Sequence, residues 1–337
     1  MKLLALFPVA SLIAIAVPAV AEQASSYTVT DTWTLGGEGG WDYATVDPAT
    51  HRLFVARNDR VMVVDTGTGK LLAEIPGMHR AHGVALAPSL GKAFVSNGDS
   101  GDVGVIDLAT LTLEKTFPAS AKNPDAIVYD ETMKRVITMN GGSNSISVID
   151  PATGKVTASI ALPGKPEFAA VDKRGSLWVN LEDVGKLVHV DLKAGKVSAT
   201  WDLAPCESPS GLAFDEVSRR VFSVCDNHTM VVTDADDGHQ VARLPIGGGP
   251  DAVVYDPSTH QVVSSNRDGT LSVFKQRSAD AYGALPTVTT HASARTLALD
   301  SATHKLYLPF AQSAGKGQPV QGFGILVASP TASSAAQ

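Results

Sequence analysis

The stretch that decides the fold is Ser145–Asp172, SISVIDPATGKVTASIALPGKPEFAAVD. It contains three short runs rich in apolar and β-branched residues, SISVI, VTASIAL and PEFAAV, separated by segments rich in Pro, Gly and Asp. Runs of this length bounded by turn residues predict β-strands. PATGK predicts a hairpin turn, because the side chain of Asp150 ahead of it can cap the turn backbone. The stretch therefore predicts the last two strands of one unit and the first strand of the next.

The same unit recurs along the chain. Its first strand is predicted at Tyr43–Asp47, Gly83–Ala87, Ala126–Asp130, Phe168–Asp172, Gly211–Asp215, Ala252–Asp256 and Thr296–Asp300. The ends of these segments are 40, 43, 42, 43, 41 and 44 residues apart. Seven copies at this period, each with four short strands, are typical of a β-propeller, in which the first strand of every blade lines the central channel.

The two ends of the chain predict how the ring closes. After the seventh first strand come two more strands, Lys305–Phe310 and Phe323–Val327, and no fourth. Tyr27–Leu35 has a strand pattern and no partner near it in sequence. Using it as the outer strand of the last blade leaves no open sheet edge. The sequence predicts an all-β, seven-bladed β-propeller in which the N-terminal strand completes the last blade.

Several segments resemble a known repeat. SISVIDPATGK, with AFVSN at Ala93–Asn97 and VITMN at Val136–Asn140, resembles the repeat of the YVTN family of seven-bladed β-propellers. The resemblance covers residues 27–327 and implies a periplasmic or surface propeller of the YncE-like type. The pattern departs at the shortened turn of DKRGSLWVN and at the insert Lys275–Leu285. The resemblance implies a fold and not a chemistry, because one fold serves many functions.

The N-terminus has the pattern of an export signal. Lys2 is followed by an apolar stretch from Leu3 to Val20, and Ala19-Val20-Ala21 before Glu22 forms a small-x-small cleavage site. We expect residues 1–21 to be a signal peptide, 22–329 a single propeller domain and 330–337 a disordered tail. An uncleaved membrane anchor is the alternative. Export predicts a periplasmic or secreted protein, with no membrane span after cleavage, and we expect a monomer.

Composition excludes several classes of protein. The net charge of −7 argues against a nucleic-acid partner, because phosphate binding needs a broad basic face. Two cysteines without a CxxC motif disfavour structural zinc and covalent haem. No GxSxG, P-loop or HExxH motif is present. An electron-transfer or quinone enzyme has no cofactor motif in its favour.

One position of the repeat concentrates chemistry. The residue five before the end of each channel-lining strand is, around the ring, Asp42, His82, Asp125, Glu167, Ser210, Asp251 and Arg295. Because these strands start on one face, here called the top, the four carboxylates and the imidazole are predicted to converge at the channel mouth. Carboxylates so placed raise one another's pKa unless a cation lies among them. The loop Ala311–Gly322 is the longest on this face and a candidate lid.

Two functions follow from this ring. The first is a binding propeller that takes a small molecule or a periplasmic protein partner at Asp42, His82, Asp125, Glu167, Asp251 and Arg295. The second is a metal-dependent hydrolase, by analogy with gluconolactonase-like propellers, in which Asp42, His82, Asp125, Glu167 and Asp251 hold one Ca²⁺, Mg²⁺, Mn²⁺ or Zn²⁺ ion. Solvated side chains with Arg295 as counter-charge are the structural alternative. No nucleophile–base pair is apparent, so no catalytic residue is assigned.

The two cysteines are predicted to pair. Cys206 lies in the loop before one first strand and Cys225 at the end of the neighbouring second strand, so both reach the top face. Export places them in an oxidising compartment, where such pairs form disulfides. The alternative is a soft-metal site made by the two thiolates and His228. The Asp residues that close third strands, Asp65, Asp107, Asp150, Asp191 and Asp234, are predicted to cap hairpin turns.

Overall fold

The computed structural model describes residues 26–313 and 321–331. The regular structure in this part of the chain is β-strand apart from one 3₁₀ turn at Pro88–Leu90. None of the described residues forms a helix that could span a bilayer. In chain order the strands are β1 (Tyr27–Thr34), β2 (Ala44–Asp47), β3 (Arg52–Asp65), β4 (Leu71–Ala87), β5 (Lys92–Asn97), β6 (Asp102–Asp107), β7 (Thr112–Pro118), β8 (Pro124–Asp130), β9 (Arg135–Asn140), β10 (Ser145–Ile149), β11 (Val156–Ala161), β12 (Pro166–Val171), β13 (Ser176–Leu181), β14 (Lys186–Asp191), β15 (Lys196–Asp202), β16 (Pro209–Asp215), β17 (Arg220–Cys225), β18 (Thr229–Asp234), β19 (Gln240–Pro245), β20 (Pro250–Asp256), β21 (Gln261–Asn266), β22 (Thr270–Ser278), β23 (Ala281–Ala284), β24 (Val288–Thr289), β25 (Ala298–Leu299), β26 (Leu306–Ser313) and β27 (Gln321–Pro330).

These strands form six antiparallel sheets that follow the sequence repeat. The sheets β8–β11, β12–β15 and β16–β19 each contain one repeat of four strands. The sheet β20–β23, with β24 paired to β22, contains the next repeat and its predicted insert, which extends β22 and forms β23. The sheet β25, β26, β27 and β1 joins the two ends of the chain.

The expected count of seven separate sheets is not seen, because two repeats share one sheet of six strands, β2–β7. Strand β3 pairs with β2 through its first half and with β4 through its second half. Strand β4 is likewise shared, pairing with β3 and then with β5. Asn58, Gly77 and Arg80 have positive φ, so the chain bends at these points while the ladder of hydrogen bonds continues.

The N-terminal strand pairs with the C-terminal strand, as the sequence predicts. The register runs from Tyr27 opposite Pro330 to Thr34 opposite Gly324. The Thr331 backbone N–H donates to the Ser26 carbonyl at 2.7 Å, so the ordered chain passes the tail boundary expected at residue 330. The predicted signal peptide, 1–21, and residues 332–337 of the predicted tail lie outside the described residues.

The predicted hairpin caps are present. In each case one carboxylate oxygen accepts hydrogen bonds from turn N–H groups two and three residues further on, as Asp150 does from Ala152 and Thr153, both at 3.0 Å. Such side-chain caps fix the turn that follows the third strand of a repeat. The same contacts are made by Asp65, Asp107, Asp191 and Asp234.

The core lies between neighbouring sheets. Trp178 of β13 is fully buried and packs in one cluster with Leu212 of β16 and Val221 of β17, so consecutive repeats bury one another's faces. An outer-strand aromatic ring also covers a turn glycine of the next repeat. Trp201 lies so close to Gly238 that a Cβ at Gly238 would come within 2.2 Å of the ring, and Trp33 covers Gly69 in the same way.

Candidate functional site

The predicted ring residues stand near the start of the channel-lining segments, and His82 does so within the second half of the long strand β4. Hydrogen bonds between neighbouring segments hold them in place: the Tyr43 N–H donates to the His82 carbonyl at 3.0 Å. The Ser210 hydroxyl donates to the Pro250 carbonyl at 2.8 Å, so Ser210 links two strands. The Thr296 hydroxyl donates to the Asp42 carbonyl at 3.0 Å, which connects the last channel-lining segment to the first.

Asp42, His82 and Asp125 form one close group. His82 Nδ1 lies 2.7 Å from Asp42 Oδ2 and 3.5 Å from Asp125 Oδ1. Burial lowers the pKa of His82, but the hydrogen bond to Asp42 and the charge of Asp125 outweigh it, so the pKa is raised. Burial raises the pKa of Asp125 to about 6, against the opposing effect of His82. The ring nitrogen Nε2 of His82 is buried and has no hydrogen-bond partner.

Arg295 neutralises two of the ring carboxylates. Its Nε contacts Asp251 Oδ2, and its guanidinium lies 3.5 Å from Asp42 Oδ1. It also donates to the Trp41 carbonyl at 3.2 Å and lies 5.5 Å from the centre of the Trp41 ring. Burial would lower the pKa of Arg295, but Asp251 and Asp42 outweigh it and raise the pKa, so the guanidinium stays charged. Burial still raises the pKa of Asp251 despite this partner.

Glu167 lies apart from the Asp42–His82–Asp125 group and has a different partner. Lys165 Nζ is 3.2 Å from Glu167 Oε2 and also contacts Glu182. Burial and the charge of Asp125 raise the pKa of Glu167 to about 8, and the Lys165 charge only partly opposes them. A pKa raised this far is unusual for a glutamate beside a lysine.

A cavity of about 310 Å³ opens on the top face beside Glu167 and Asp251, and we call it the top cavity. Two further carboxylates, Glu182 and Asp226, line it, with Arg267 as the one cationic side chain among its described lining residues. Glu182 and Asp226 were not predicted as site residues, because they lie in the loops after second strands and not at the repeated ring position.

The floor of the ring is aromatic. Tyr43 follows Asp42 directly and extends across the channel to Phe168, with ring centres 4.8 Å apart. Burial raises the pKa of the Tyr43 hydroxyl well above its usual value, and the charges of Glu167, Asp251, Asp42 and Asp125 add to this. A signal for this pair was present in the sequence: at this repeat position the other residues are small, namely Gly83, Ala126, Gly211, Ala252 and Thr296.

The five residues predicted to hold a metal ion do not form one group. Ligand atoms of Asp42, His82 and Asp125 all lie within 4.8 Å of one another, and among the described residues this group includes neither Glu167 nor Asp251. Asp251 is paired with Arg295 and Glu167 with Lys165, so both already have a counter-charge. Two carboxylates and one imidazole suit a divalent ion, and Asp42, His82 and Asp125 are close enough together to hold one.

The predicted disulfide is present. Cys206 and Cys225 are bonded, with Cα atoms 5.3 Å apart, which excludes the alternative soft-metal site made of two thiolates and His228. The bridge holds the loop before β16 against the end of β17, where the Asp226 N–H donates to the Glu207 carbonyl at 2.9 Å. Ser208 and Asp226, both in the top cavity, lie within two residues of the bridge. Disulfides persist in oxidising compartments, which is compatible with an extracellular or periplasmic protein.

The predicted lid is shorter than expected. Strand β26 continues to Ser313 and β27 begins at Gln321, and these two residues pair. Both ends of Ala311–Gly322 are therefore part of a hairpin ladder. Residues 314–320, the centre of the predicted lid, lie outside the described residues.

Comparisons with known proteins support the fold class. No family model matches the chain. The chain is 36% identical over 75 residues to the uncharacterized protein YncE of Salmonella typhimurium, and likewise to that of Salmonella typhi. The match spans 22% of this chain and 21% of the relative, about a fifth of the length of either protein. It supports the resemblance to YncE-like propellers over that part alone.

Solved structures match over the whole ring. Hydrazine synthase of Kuenenia stuttgartiensis superposes with a TM-score of 0.73 at 17% identity, covering 94% of this chain and 99% of that chain. The WD40 repeats of RRP9 superpose with a TM-score of 0.78 at 11% identity, covering 91% and 100%. At such identities the likeness shows the fold alone. The predicted all-β propeller is confirmed, and a propeller is a scaffold suited to binding ligands or partners.

Proposed function

We propose that this chain is an exported propeller that binds a small ligand carrying positive charge through the top face of its channel. The observation that carries the proposal is the top cavity, in which Glu167, Glu182, Asp226 and Asp251 face one space of about 310 Å³. The raised pKa values of Glu167 and Asp251 also support binding of a positively charged ligand. Burial disfavours the ionised form of these carboxyl groups, and a bound cation would favour it.

The proposal includes seven blades. The sheet β2–β7 contains two of the seven sequence repeats, and the bends at Gly77 and Arg80 lie where the fourth strand of the first repeat gives way to the first strand of the second. We count this sheet as two blades joined through the long strand β4. An experimental structure that shows six equal angular steps around the channel would overturn this count.

Calorimetric titration with putrescine tests the ligand class. Putrescine is a small diamine that carries two positive charges at neutral pH. We expect binding accompanied by proton release, because a carboxyl group with a pKa of about 8 is about nine-tenths protonated at pH 7 and must ionise to pair with an ammonium group. The released protons are counted by repeating the titration in buffers with different heats of ionisation.

One double variant and one control variant make this titration specific. Glu182→Gln with Asp226→Asn removes two charges from the top cavity without touching the buried ring, and should weaken binding about tenfold or more. Asp237→Asn removes an exposed acid from a turn outside the top cavity and serves as the matched control. The proposal fails if putrescine does not bind, or if the cavity and control variants bind it equally.

A metal-dependent hydrolase is the second candidate, favoured by the close group of Asp42, His82 and Asp125. These residues would hold a divalent ion by two carboxylates and Nδ1 of the imidazole. The ion would supply Lewis-acid polarisation of a substrate carbonyl. Metal analysis of the purified protein, followed by assays on simple lactones with Ca²⁺, Mg²⁺, Mn²⁺ and Zn²⁺, tests this candidate. Loss of both metal and hydrolysis in Asp125→Asn would support it, and a metal-free, inactive wild type would reject it.

Export remains part of the proposal. Cleavage of the predicted signal peptide after Ala21 would give a mature chain that begins at Glu22. N-terminal sequencing of the protein recovered from the periplasm or medium tests this, and a chain that keeps residues 1–21 would favour the membrane anchor. We expect the mature protein to be monomeric on a sizing column, with no affinity for nucleic acid at physiological salt because of its net negative charge.

A further inference from the structure

A second cavity lies in the channel beneath the ring. It has a volume of about 340 Å³, and we call it the apolar well. Residues of β2, β4, β8, β12, β16, β20 and β25, or directly preceding them, line it, so every channel-lining segment contributes. A cavity touched by all of these segments lies on the axis of the propeller. Its lining begins one residue after the ring position, which places it directly below the ring.

The apolar well differs from the top cavity in chemistry. None of its described lining residues is charged at neutral pH; Val46, Ile127, Val254 and Leu297 are typical members. Two of its polar side chains already have partners: the Thr45 hydroxyl donates to the Val84 carbonyl at 2.8 Å, and the Tyr255 hydroxyl donates to Gln276 Oε1 at 2.5 Å. The hydroxyl of Tyr43 is the third polar side-chain group of the lining, and the remaining polar atoms of the wall belong to the backbone of the lining strands.

Tyr43 and Phe168 separate the two cavities. Both rings line the apolar well, and the acidic ring lies above them. No residue is common to the lining of the top cavity and the lining of the apolar well. At the lower end, Phe214, Tyr255 and Leu299 are half-buried, so this end of the well reaches solvent. A ligand therefore reaches the well from the bottom face and meets a ceiling of two aromatic rings.

We propose that the apolar well is a binding site for a small uncharged aromatic molecule of about two rings. The size of the ligand follows from the volume of the well, because an apolar cavity of about 150 Å³ accommodates benzene and the well is roughly twice as large. Its lack of charge follows from the lining, since an ion placed there would lose its hydration without gaining a partner. The aromatic ceiling adds ring contacts that favour a flat molecule over an aliphatic one.

Titration with 1-aminonaphthalene tests the proposal. This two-ring molecule is uncharged at neutral pH, and its fluorescence shifts to the blue in apolar surroundings. We expect saturable binding with a blue shift for the wild-type protein. The matched ligand 1-naphthoate has the same rings and a negative charge, and we expect it to bind at least tenfold more weakly. No blue shift with 1-aminonaphthalene, or equal binding of the two compounds, would overturn the proposal.

Variants that fill the well locate the site. Ala44→Leu and Val254→Phe add volume from two different channel-lining strands, β2 and β20, and each should weaken 1-aminonaphthalene binding at least tenfold. Val217→Phe adds the same kind of ring to a side chain that is 89% exposed in a turn, and should leave binding unchanged. Undiminished binding in both filling variants would show that the compound binds elsewhere.

A measurement on the wild-type protein keeps the test decisive if the filling variants fold poorly. Methyl carbon–proton spectra recorded with 1-aminonaphthalene should show shifts of Val253, Leu297 and Leu299, which line the well. Shifts confined to methyl groups outside the lining would overturn the proposal. Because the two cavities share no residue, a positive result here is compatible with failure of the putrescine experiment, and the reverse also holds.

Discussion

Glu167→Gln is predicted to stabilise the protein, and to do so more strongly as the pH rises. Glutamine keeps the shape of the protonated carboxyl group and has no proton to lose. Burial and the charge of Asp125 raise the pKa of Glu167 from 4.5 to about 8 on folding. An acid with a raised pKa binds its proton more tightly in the folded state. Proton binding by Glu167 therefore stabilises the folded state at low pH. This stabilisation is lost as the pH rises from about 4.5 to about 8.

The size of the effect follows from these two pKa values. Linkage gives a destabilisation by Glu167 of about 1 kcal/mol at pH 5, about 3 kcal/mol at pH 7 and about 5 kcal/mol at pH 9. The variant should gain these amounts over the wild type. Urea denaturation followed by circular dichroism at the three pH values measures the gain, on protein dialysed against a chelator so that no cation occupies the ring.

Glu182→Gln is the matched control for this prediction. Glu182 contacts the same lysine, Lys165, and is more exposed than Glu167. An exposed ion pair contributes about 1 kcal/mol or less, so this variant should change stability little at all three pH values. The reasoning is refuted if the gain in Glu167→Gln does not grow between pH 5 and pH 9, or if both variants show the same pH dependence.

Three further predictions concern the scaffold. Replacing Cys206 and Cys225 by serine should lower the free energy of unfolding by about 3 kcal/mol and weaken cation binding. The reason is that the disulfide closes a loop with a sequence separation of 19 beside the top cavity. Two free thiols in denatured, unreduced wild-type protein would contradict this. Deleting residues 22–35 removes β1 and exposes the edge of β27, so the cooperative melt should be lost, and a near-wild-type melt would disprove the closure. Gly238→Ala should destabilise the protein by about 2 kcal/mol more than Gly195→Ala. Both glycines have positive φ, but only a Cβ at Gly238 would meet an aromatic ring, that of Trp201. Equal urea midpoints for the two variants would contradict the packing of Trp201 on Gly238.

The local architecture was predictable from the sequence. Strand positions, the hairpin caps at residues such as Asp150, the pairing of the two termini and the bond between Cys206 and Cys225 were all predictable. Each depends on a repeated local pattern or on neighbouring strands of one repeat, and a repeat of known period fixes which residue begins each channel-lining strand. The ring position was found in this way, together with Asp42, His82 and Asp125.

How these residues interact depends on contacts between distant parts of the chain. Arg295 and Asp42 are far apart in sequence, and only closure of the ring brings their side chains to 3.5 Å. The contact between Tyr43 and Phe168 spans the channel, so its existence depends on the channel diameter and not on either local sequence. The division of the axis into an acidic top cavity and an apolar well has the same origin. Side chains that meet across a closed ring are arranged by the packing of all its sheets, which no single repeat encodes.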